Sequence, residues 1–212
     1  MKEINRFTVA GIGPGSRDYL LPITTRKARE AGLLIGGSRA LELFTQLETE
    51  KKEITADLKR VRRLIRSNYT HRRTVVLVSG DPGLFSLAGY LGRFFDRDEM
   101  EIIPGISAMQ LAFARAKLHW QDAHFISLHG RENLSRLKKL VNRGEKVGIF
   151  TDKKFTPAYI AEFLLQEDCT DKDVFVAENL SYDQEKNYRC KLSQLKSRDF
   201  AALNVMVIYG GE

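Results

Sequence analysis

Five consecutive residues, Thr74-Val75-Val76-Leu77-Val78, set the terms for the whole chain. A continuous apolar, β-branched run of this kind predicts a strand covered on both faces, as in a parallel sheet. Directly after it comes Ser79-Gly80-Asp81-Pro82-Gly83, and then Leu84, Leu87, Ala88, Leu91, Phe94 and Phe95 recur at helical spacing. The stretch reads as a strand-to-helix loop, which in an open α/β sheet lies at the carboxyl end of the strands, where ligands bind. Gly80 and Gly83 permit close backbone approach, Pro82 stiffens the turn and Asp81 supplies a fixed negative charge. The same residue types also make ordinary turns, so this loop alone leaves ligand site and plain turn both open.

Two further strand ends carry glycine loops. Phe7 to Ile12 predicts a first strand running into Gly11-Ile12-Gly13-Pro14-Gly15, and Glu101-Ile102-Ile103 predicts a short strand opening onto Pro104-Gly105-Ile106-Ser107-Ala108. In a parallel sheet the three loops lie along one edge. The first loop is not a dinucleotide fingerprint. Ser16 occupies the third glycine position of G-x-G-x-x-G, Pro14 removes a backbone donor, and the nearest acid, Glu30, precedes the second strand instead of following it.

Elsewhere Thr24 or Thr25 predicts the cap of a short helix through Ala28 and Ala31, followed by a strand Leu33-Leu34-Ile35 and a helix from Arg39 through Phe44. Ser107 predicts the N-cap of a helix carrying Ala108, Met109, Leu111 and Ala112. The second half alternates strands (residues 124–128, 147–150, 173–178 and 204–208) with helical stripes around Leu134–Val141 and Phe155–Leu164, and Asn187 to Cys190 predicts an edge strand. The apolar periodicity lapses between Arg115 and Asp122, so the expected division is residues 1–117 and 118–212.

The formal net charge of +7 favours anionic partners. Much of it lies in Lys59, Arg60, Arg62, Arg63, Arg66, His71, Arg72 and Arg73, on a segment with Leu58, Val61, Leu64 and Ile65 at helical spacing and Asp57 as N-cap. A solvated amphipathic face accounts for this pattern. A basic nucleic-acid-binding module is the rival from another class, although no recognition motif or basic-aromatic interleaving accompanies it. Cys169, Cys190 and the four histidines lack metal-ligand spacing, so no metal is expected. The apolar runs are too short for a membrane span and the N-terminus is too polar for a secretory signal, which points to a cytoplasmic protein.

Gly11-Ile12-Gly13-Pro14-Gly15, Ser79-Gly80-Asp81-Pro82-Gly83 and Pro104-Gly105-Ile106-Ser107-Ala108, taken together, resemble the tetrapyrrole methylases, the class III S-adenosylmethionine-dependent methyltransferases. Within that family, Leu34-Ile35-Gly36-Gly37-Ser38-Arg39 with Leu41 to Phe44, the Gly83-Leu84-Phe85-Ser86 continuation, Ser127-Leu128-His129-Gly130-Arg131 and Ala177-Glu178-Asn179-Leu180-Ser181 resemble members that methylate C-5 of cobalt-precorrin-7 in cobalamin synthesis. The resemblance spans essentially the whole chain. It implies two α/β lobes with the methyl donor in the cleft between them, in a homodimer.

By the same resemblance, S-adenosylmethionine is the cofactor and S-adenosylhomocysteine the product. Pro14, Gly80, Asp81, Leu84, Ser107, Ala108, Phe150, Thr151, Leu203 and Asn204 line the donor site. Gly13, Arg39, His129 and Arg131 are the candidates on the side of the corrinoid substrate, where cations would gather its carboxylates. A solvated or structural role stays open for the two arginines, and a structural one for His129. The donor carries a sulfonium, an ammonium and a carboxylate but no phosphate, so one acid and exposed backbone suffice and no phosphate loop is required. Aligning two bound reactants is worth up to about 7–11 kcal/mol, so no catalytic base is required. The resemblance leaves other ring positions, siroheme precursors and diphthamide as alternative substrates. The related two-function enzyme has a further C-terminal domain for C-15 methylation and decarboxylation. This chain ends at Glu212, so only the C-5 step is expected here, with the other on a separate enzyme.

Overall fold

The structure is a computed structural model that describes residues 6–54, 57–128 and 133–210. It divides into two compact units, Met1–Ser107 and Ala108–Glu212.

The first unit is built on a five-stranded sheet in the order β3-β2-β4-β1-β5, formed by β1 (Phe7–Gly11), β2 (Leu33–Gly36), β3 (Glu50–Glu53), β4 (Thr74–Val78) and β5 (Met100–Ile103). Every pairing in it is parallel. Successive side chains of a strand point to opposite faces, and here both faces are buried. Val9, Ile35, Val76 and Val78 pack with Val61 and Ile65 of α3 (Leu58–Arg66), whereas Ala10, Leu34, Val75 and Leu77 pack with Ala28 of α1 (Pro22–Glu30) and Ala40 of α2 (Ser38–Glu42). That double covering is why these strands read as unbroken apolar runs.

Two expected helix starts need correction, and one strand has no counterpart among the expectations. Helix α1 begins at Pro22 with Leu21 at the N-cap, not at a threonine cap. Proline lacks the N–H that a first-turn residue leaves unbonded anyway, so it starts a helix well. Thr24 instead lies inside the helix, fully buried, its hydroxyl donating to the Gly11 carbonyl at 3.1 Å. Helix α4 (Leu87–Leu91) also starts later than the apolar spacing from Leu84 predicts, because Phe85 takes a φ of 50°. Strand β3, Glu-Lys-Lys-Glu, has no apolar signal at all. It is an edge strand, largely exposed, and its charges suit an edge that must not pair further.

Helix α3 follows its expectation, with Arg60 N donating to the Asp57 carboxylate at 3.0 Å. Two of its five cations, Arg62 and Arg66, and Arg72 beyond its end have partners within the unit. The Arg62 guanidinium lies 4.2 Å from the Phe94 ring centre, Arg66 stacks 4.4 Å from Phe95 and bonds the Phe94 carbonyl at 2.6 Å, and Arg72 pairs with Glu50 at 2.5 Å.

In the second unit α5 (Ala108–Ala116) contacts β7 (Val147–Phe150), β8 (Asp173–Glu178) and β10 (Asn204–Tyr209). The contact pattern therefore groups α5 with the second unit, whereas the expected division at 117/118 put it in the first. The sheet order is β6-β7-β10-β8-β9, with β6 (His124–Ser127) and β9 (Lys186–Lys191) at the edges. Only β6 and β7 are parallel; the other pairings are antiparallel. Ile149, Val174, Val176, Met206 and Ile208 pack against Leu137 and Val141 of α6 (Leu134–Asn142) and Ile160 and Leu164 of α7 (Pro157–Gln166).

On β5, Glu101 accepts from Lys27 at 2.6 and 2.7 Å and from the Thr8 hydroxyl at 2.8 Å. Burial pushes its carboxyl up, but the bonds from Lys27 and Thr8 outweigh this and hold it below the usual glutamate value. A depressed folded-state pKa adds stability above the unfolded value of about 4.3 and loses it as pH falls through the folded value. Urea denaturation should therefore show stability falling with acidification below about pH 4.3, and Glu101→Gln should flatten that fall. Solvent screening limits the difference to under about 1 kcal/mol. An unchanged acid limb in Glu101→Gln would remove Glu101 from the account.

Candidate functional site

Strands β4, β1 and β5 are neighbours, so their carboxyl ends bring the three glycine loops side by side within the first unit. They meet main chain to main chain. A Cβ on Gly11 would lie 2.4 Å from the Gly80 carbonyl oxygen and 2.8 Å from Gly105 Cα, and one on Gly105 would lie 2.3 Å from the same oxygen. Gly13 and Gly80 form an isolated antiparallel bridge, Gly80 N donating to Gly13 O at 2.8 Å and Gly13 N to Gly80 O at 3.4 Å. Both have positive φ, 80° and 65°, which glycine adopts without penalty. Much of the glycine content is therefore required by the way the loops pack on each other.

Asp81 ties two of these loops together. One carboxylate oxygen accepts from Gly83 N at 2.7 Å, closing a turn of its own loop, and the other accepts from Gly105 N at 3.0 Å. A carboxylate has about four lone-pair sites, so capacity remains for a ligand after these two bonds. Beyond it, Leu84 is half-buried, Phe85 is 46% exposed with its left-handed φ, and the buried Ser86 hydroxyl has no hydrogen-bond partner. A strained, exposed aromatic and an unsatisfied buried hydroxyl are features that folding alone does not favour. Neither residue stood out as a site candidate in the sequence, since left-handed backbone at a phenylalanine has no compositional signal. Pro14 is half-buried, Gly13 is buried and Ser107 is only 3% exposed. Arg39 is exposed on α2, away from any ion pair among the described residues.

In the second unit the expected residues gather where β7 ends and β10 begins. The Thr151 hydroxyl reaches Asn204 Oδ1 at 2.6 Å and the Asn204 carbonyl at 2.9 Å, and Asn204 Nδ2 donates to the Ala201 carbonyl at 2.7 Å. The Leu203 carbonyl accepts from Asn179 N at 2.8 Å, while the Leu203 side chain stays 39% exposed. Phe150, at the end of β7, is half-buried, as is Ala108 at the start of α5. The polar side chains of Thr151 and Asn204 thus bond each other, which leaves Leu203, Phe150 and main chain as the surface on offer. His129 and Arg131 lie outside the described residues.

No group of three or more potential metal-ligating His, Cys, Asp or Glu occurs among the described residues, and no helix there is long and apolar enough to cross a membrane. Burial pushes the Cys169 and Cys190 thiols up, which makes poor nucleophiles of them.

The chain is 35% identical over 211 residues to the probable cobalt-precorrin-7 C(5)-methyltransferase of Methanocaldococcus jannaschii, covering 96% of this chain and 98% of that one. It is 30% identical over 201 residues to the cobalt-precorrin-7 C(5)-methyltransferase of Salmonella typhimurium, covering 95% and 97%. Among solved structures it superimposes on the methyltransferase CobJ with a TM-score of 0.81 at 23% identity, covering 97% of this chain and 94% of that one. It also superimposes on uroporphyrin-III C-methyl transferase from Thermus thermophilus, complexed with S-adenyl homocysteine, with a TM-score of 0.75 at 20% identity, covering 95% and 96%. These two structures establish the fold alone. A family profile, Tetrapyrrole (Corrin/Porphyrin) Methylases, matches residues 6–196. With three glycine loops closed on one another at the sheet edge and this match along most of its length, the chain belongs to the tetrapyrrole methylases.

Proposed function

We propose that the protein transfers a methyl group from S-adenosylmethionine to C-5 of cobalt-precorrin-7, or of the equivalent precorrin-6Y-type corrinoid, in cobalamin biosynthesis. The observation that carries this reading is the likeness, over nearly the full length of both partners, to two relatives named for that step. The donor-binding residues are Pro14, Gly80, Asp81, Leu84 and Ser107 in the first unit and Ala108, Phe150, Thr151, Leu203 and Asn204 in the second.

The chemistry of these groups suits that donor. Asp81 offers a carboxylate with lone pairs to spare, and Ser86 a buried hydroxyl without a partner. Leu84, Phe150 and Leu203 offer apolar surface. Bound there, the donor supplies an electrophilic methyl on a sulfonium. The residues of the chain hold it, exclude water from it and orient it, and orientation alone is worth up to about 7–11 kcal/mol. On the substrate side, Gly13, Arg39, His129 and Arg131 are the proposed contacts. The protein acts as a cytoplasmic homodimer, with C-15 methylation and decarboxylation carried by a separate enzyme. The Sinorhizobium precorrin-6Y C(5,15)-methyltransferase [decarboxylating] matches at 32% identity over 74% of this chain and 38% of its own length.

Calorimetric titration with S-adenosylhomocysteine tests the donor, and single-turnover methylation of cobalt-precorrin-7, with the methylated position read by NMR, tests the substrate. Saturable binding and a new methyl at C-5 are expected. A well-folded protein that does not bind S-adenosylhomocysteine would defeat the reading, and a methyl at another ring carbon would reassign the step.

A further inference from the structure

Glu178 ends β8 as a buried carboxylate, 4% exposed, directly after the apolar run Val174-Phe175-Val176-Ala177. A buried acid survives only where its oxygens are bonded. Oε1 accepts from the backbone N–H of Ala201, and Oε2 accepts from the Tyr188 hydroxyl at 3.1 Å. Both partners serve the same segment. The Tyr188 ring meets Phe200 edge-on at 5.8 Å and lies 5.2 Å from the Arg198 guanidinium. The Ala201 carbonyl then takes Asn204 Nδ2, Asn204 Oδ1 takes the Thr151 hydroxyl, and the Leu203 carbonyl takes Asn179 N from the residue after Glu178. Asn179 adopts a left-handed φ of 48° just after Glu178. The stretch from Ala201 to Asn204 is therefore fastened at each end, and the Glu178 side chain is the anchor of the first fastening.

We propose that Glu178 is a positioning residue for methyl-donor binding: its carboxylate clamps Ala201 so that Leu203 and Asn204 are presented in one fixed conformation. The inference rests on the reading of Leu203 and Asn204 as donor contacts. Glu178 does not itself touch the donor. It removes alternative conformations of the segment that does, and the energy it contributes appears as donor affinity.

The test compares Glu178→Met, which keeps length but cannot accept a bond, with Glu178→Gln, whose amide oxygen still accepts from Ala201 and whose NH2 donates to Tyr188. Titration with S-adenosylhomocysteine should give a dissociation constant raised about tenfold in Glu178→Met and restored to within about threefold of wild type in Glu178→Gln. In turnover, KM for the methyl donor should rise in Glu178→Met while KM for the corrinoid stays put, a split that general loss of folded protein would not give. Should Glu178→Met fail to fold, Tyr188→Phe, which removes one of the two anchors on the carboxylate, should raise the dissociation constant about threefold. Wild-type affinity in Glu178→Met, or in Tyr188→Phe where that variant is the readout, would overturn the clamp while the donor site stands. A wild-type protein that binds no S-adenosylhomocysteine would instead remove the donor reading on which it rests.

Discussion

Gly105→Ala is expected to be the most damaging single-methyl change in the first unit, costing about 3 kcal/mol of stability and abolishing measurable S-adenosylhomocysteine binding. The added Cβ would lie 2.3 Å from the Gly80 carbonyl oxygen, 2.9 Å from Gly11 Cα and 3.0 Å from the Gly11 carbonyl carbon. All three are main-chain atoms at the ends of paired strands, so no side chain can swing aside to make room. Relief requires the end of β5 to part from β1, its only neighbour in the sheet, and that moves Gly105 relative to Gly80, the groups beside Asp81. Gly89→Ala is the matched control. Gly89 sits in α4 with no atom within 4 Å of an added Cβ, and alanine there should be neutral or stabilising by up to about 1 kcal/mol. Urea denaturation of both variants, with calorimetry, makes the comparison. Equal stability of the two would mean that the loops do not pack as described.

Asp81→Ala should cost about 2 kcal/mol and weaken S-adenosylhomocysteine at least about tenfold. The change strips an acceptor from Gly83 N and another from Gly105 N, uncoupling the central loop from the loop after β5. Asp81→Asn separates the two roles the carboxylate can have. Its amide retains one oxygen for one of those N–H groups, so much of the loop geometry is kept, while the charge is gone. If Asp81 also meets the cationic part of the donor, Asn binds almost as poorly as Ala although it melts nearer to wild type. If Asp81 is only a clasp, affinity follows stability across both variants. Binding that matches wild type in Asp81→Ala would exclude both roles.

The parts of this molecule that were legible in its sequence are those whose cause is local. The Thr74–Val78 run is apolar because both faces of β4 are covered, and it reads as what it is. Asp57 caps α3 from the adjacent residue, and the three glycine loops follow their strands directly. Strand β3 was not legible, because Glu50 to Glu53 pair through main chain at an edge and bury almost nothing. The hydrogen bonds around Thr151, Asn204 and Glu178 were hidden for a different reason. Thr151 and Asn204 are 53 positions apart, and Glu178 reaches Ala201 across 23. Periodicity reports which face of an element is buried, and it carries no record of which distant partner a polar side chain will find. The start of α1 was missed because threonine offered a plausible cap, while Pro22 and the demand of the Gly11 carbonyl for the Thr24 hydroxyl decided otherwise.

The junction of Gly11, Gly80 and Gly105 also bears on how such a protein can change over generations. A crowded contact between side chains drifts readily, because a larger residue on one side is matched by a smaller one on the other. Here all three positions already carry the smallest residue there is: Gly11 and Gly105 are each hemmed in by the backbone of the other and of Gly80, and Gly80 holds a left-handed φ of 65°. No compensating replacement exists, so a lineage that loses one glycine has no second step available to recover it. Change is thereby pushed outward, onto side chains such as Leu84 and Phe85 that follow the junction in the central loop without forming it.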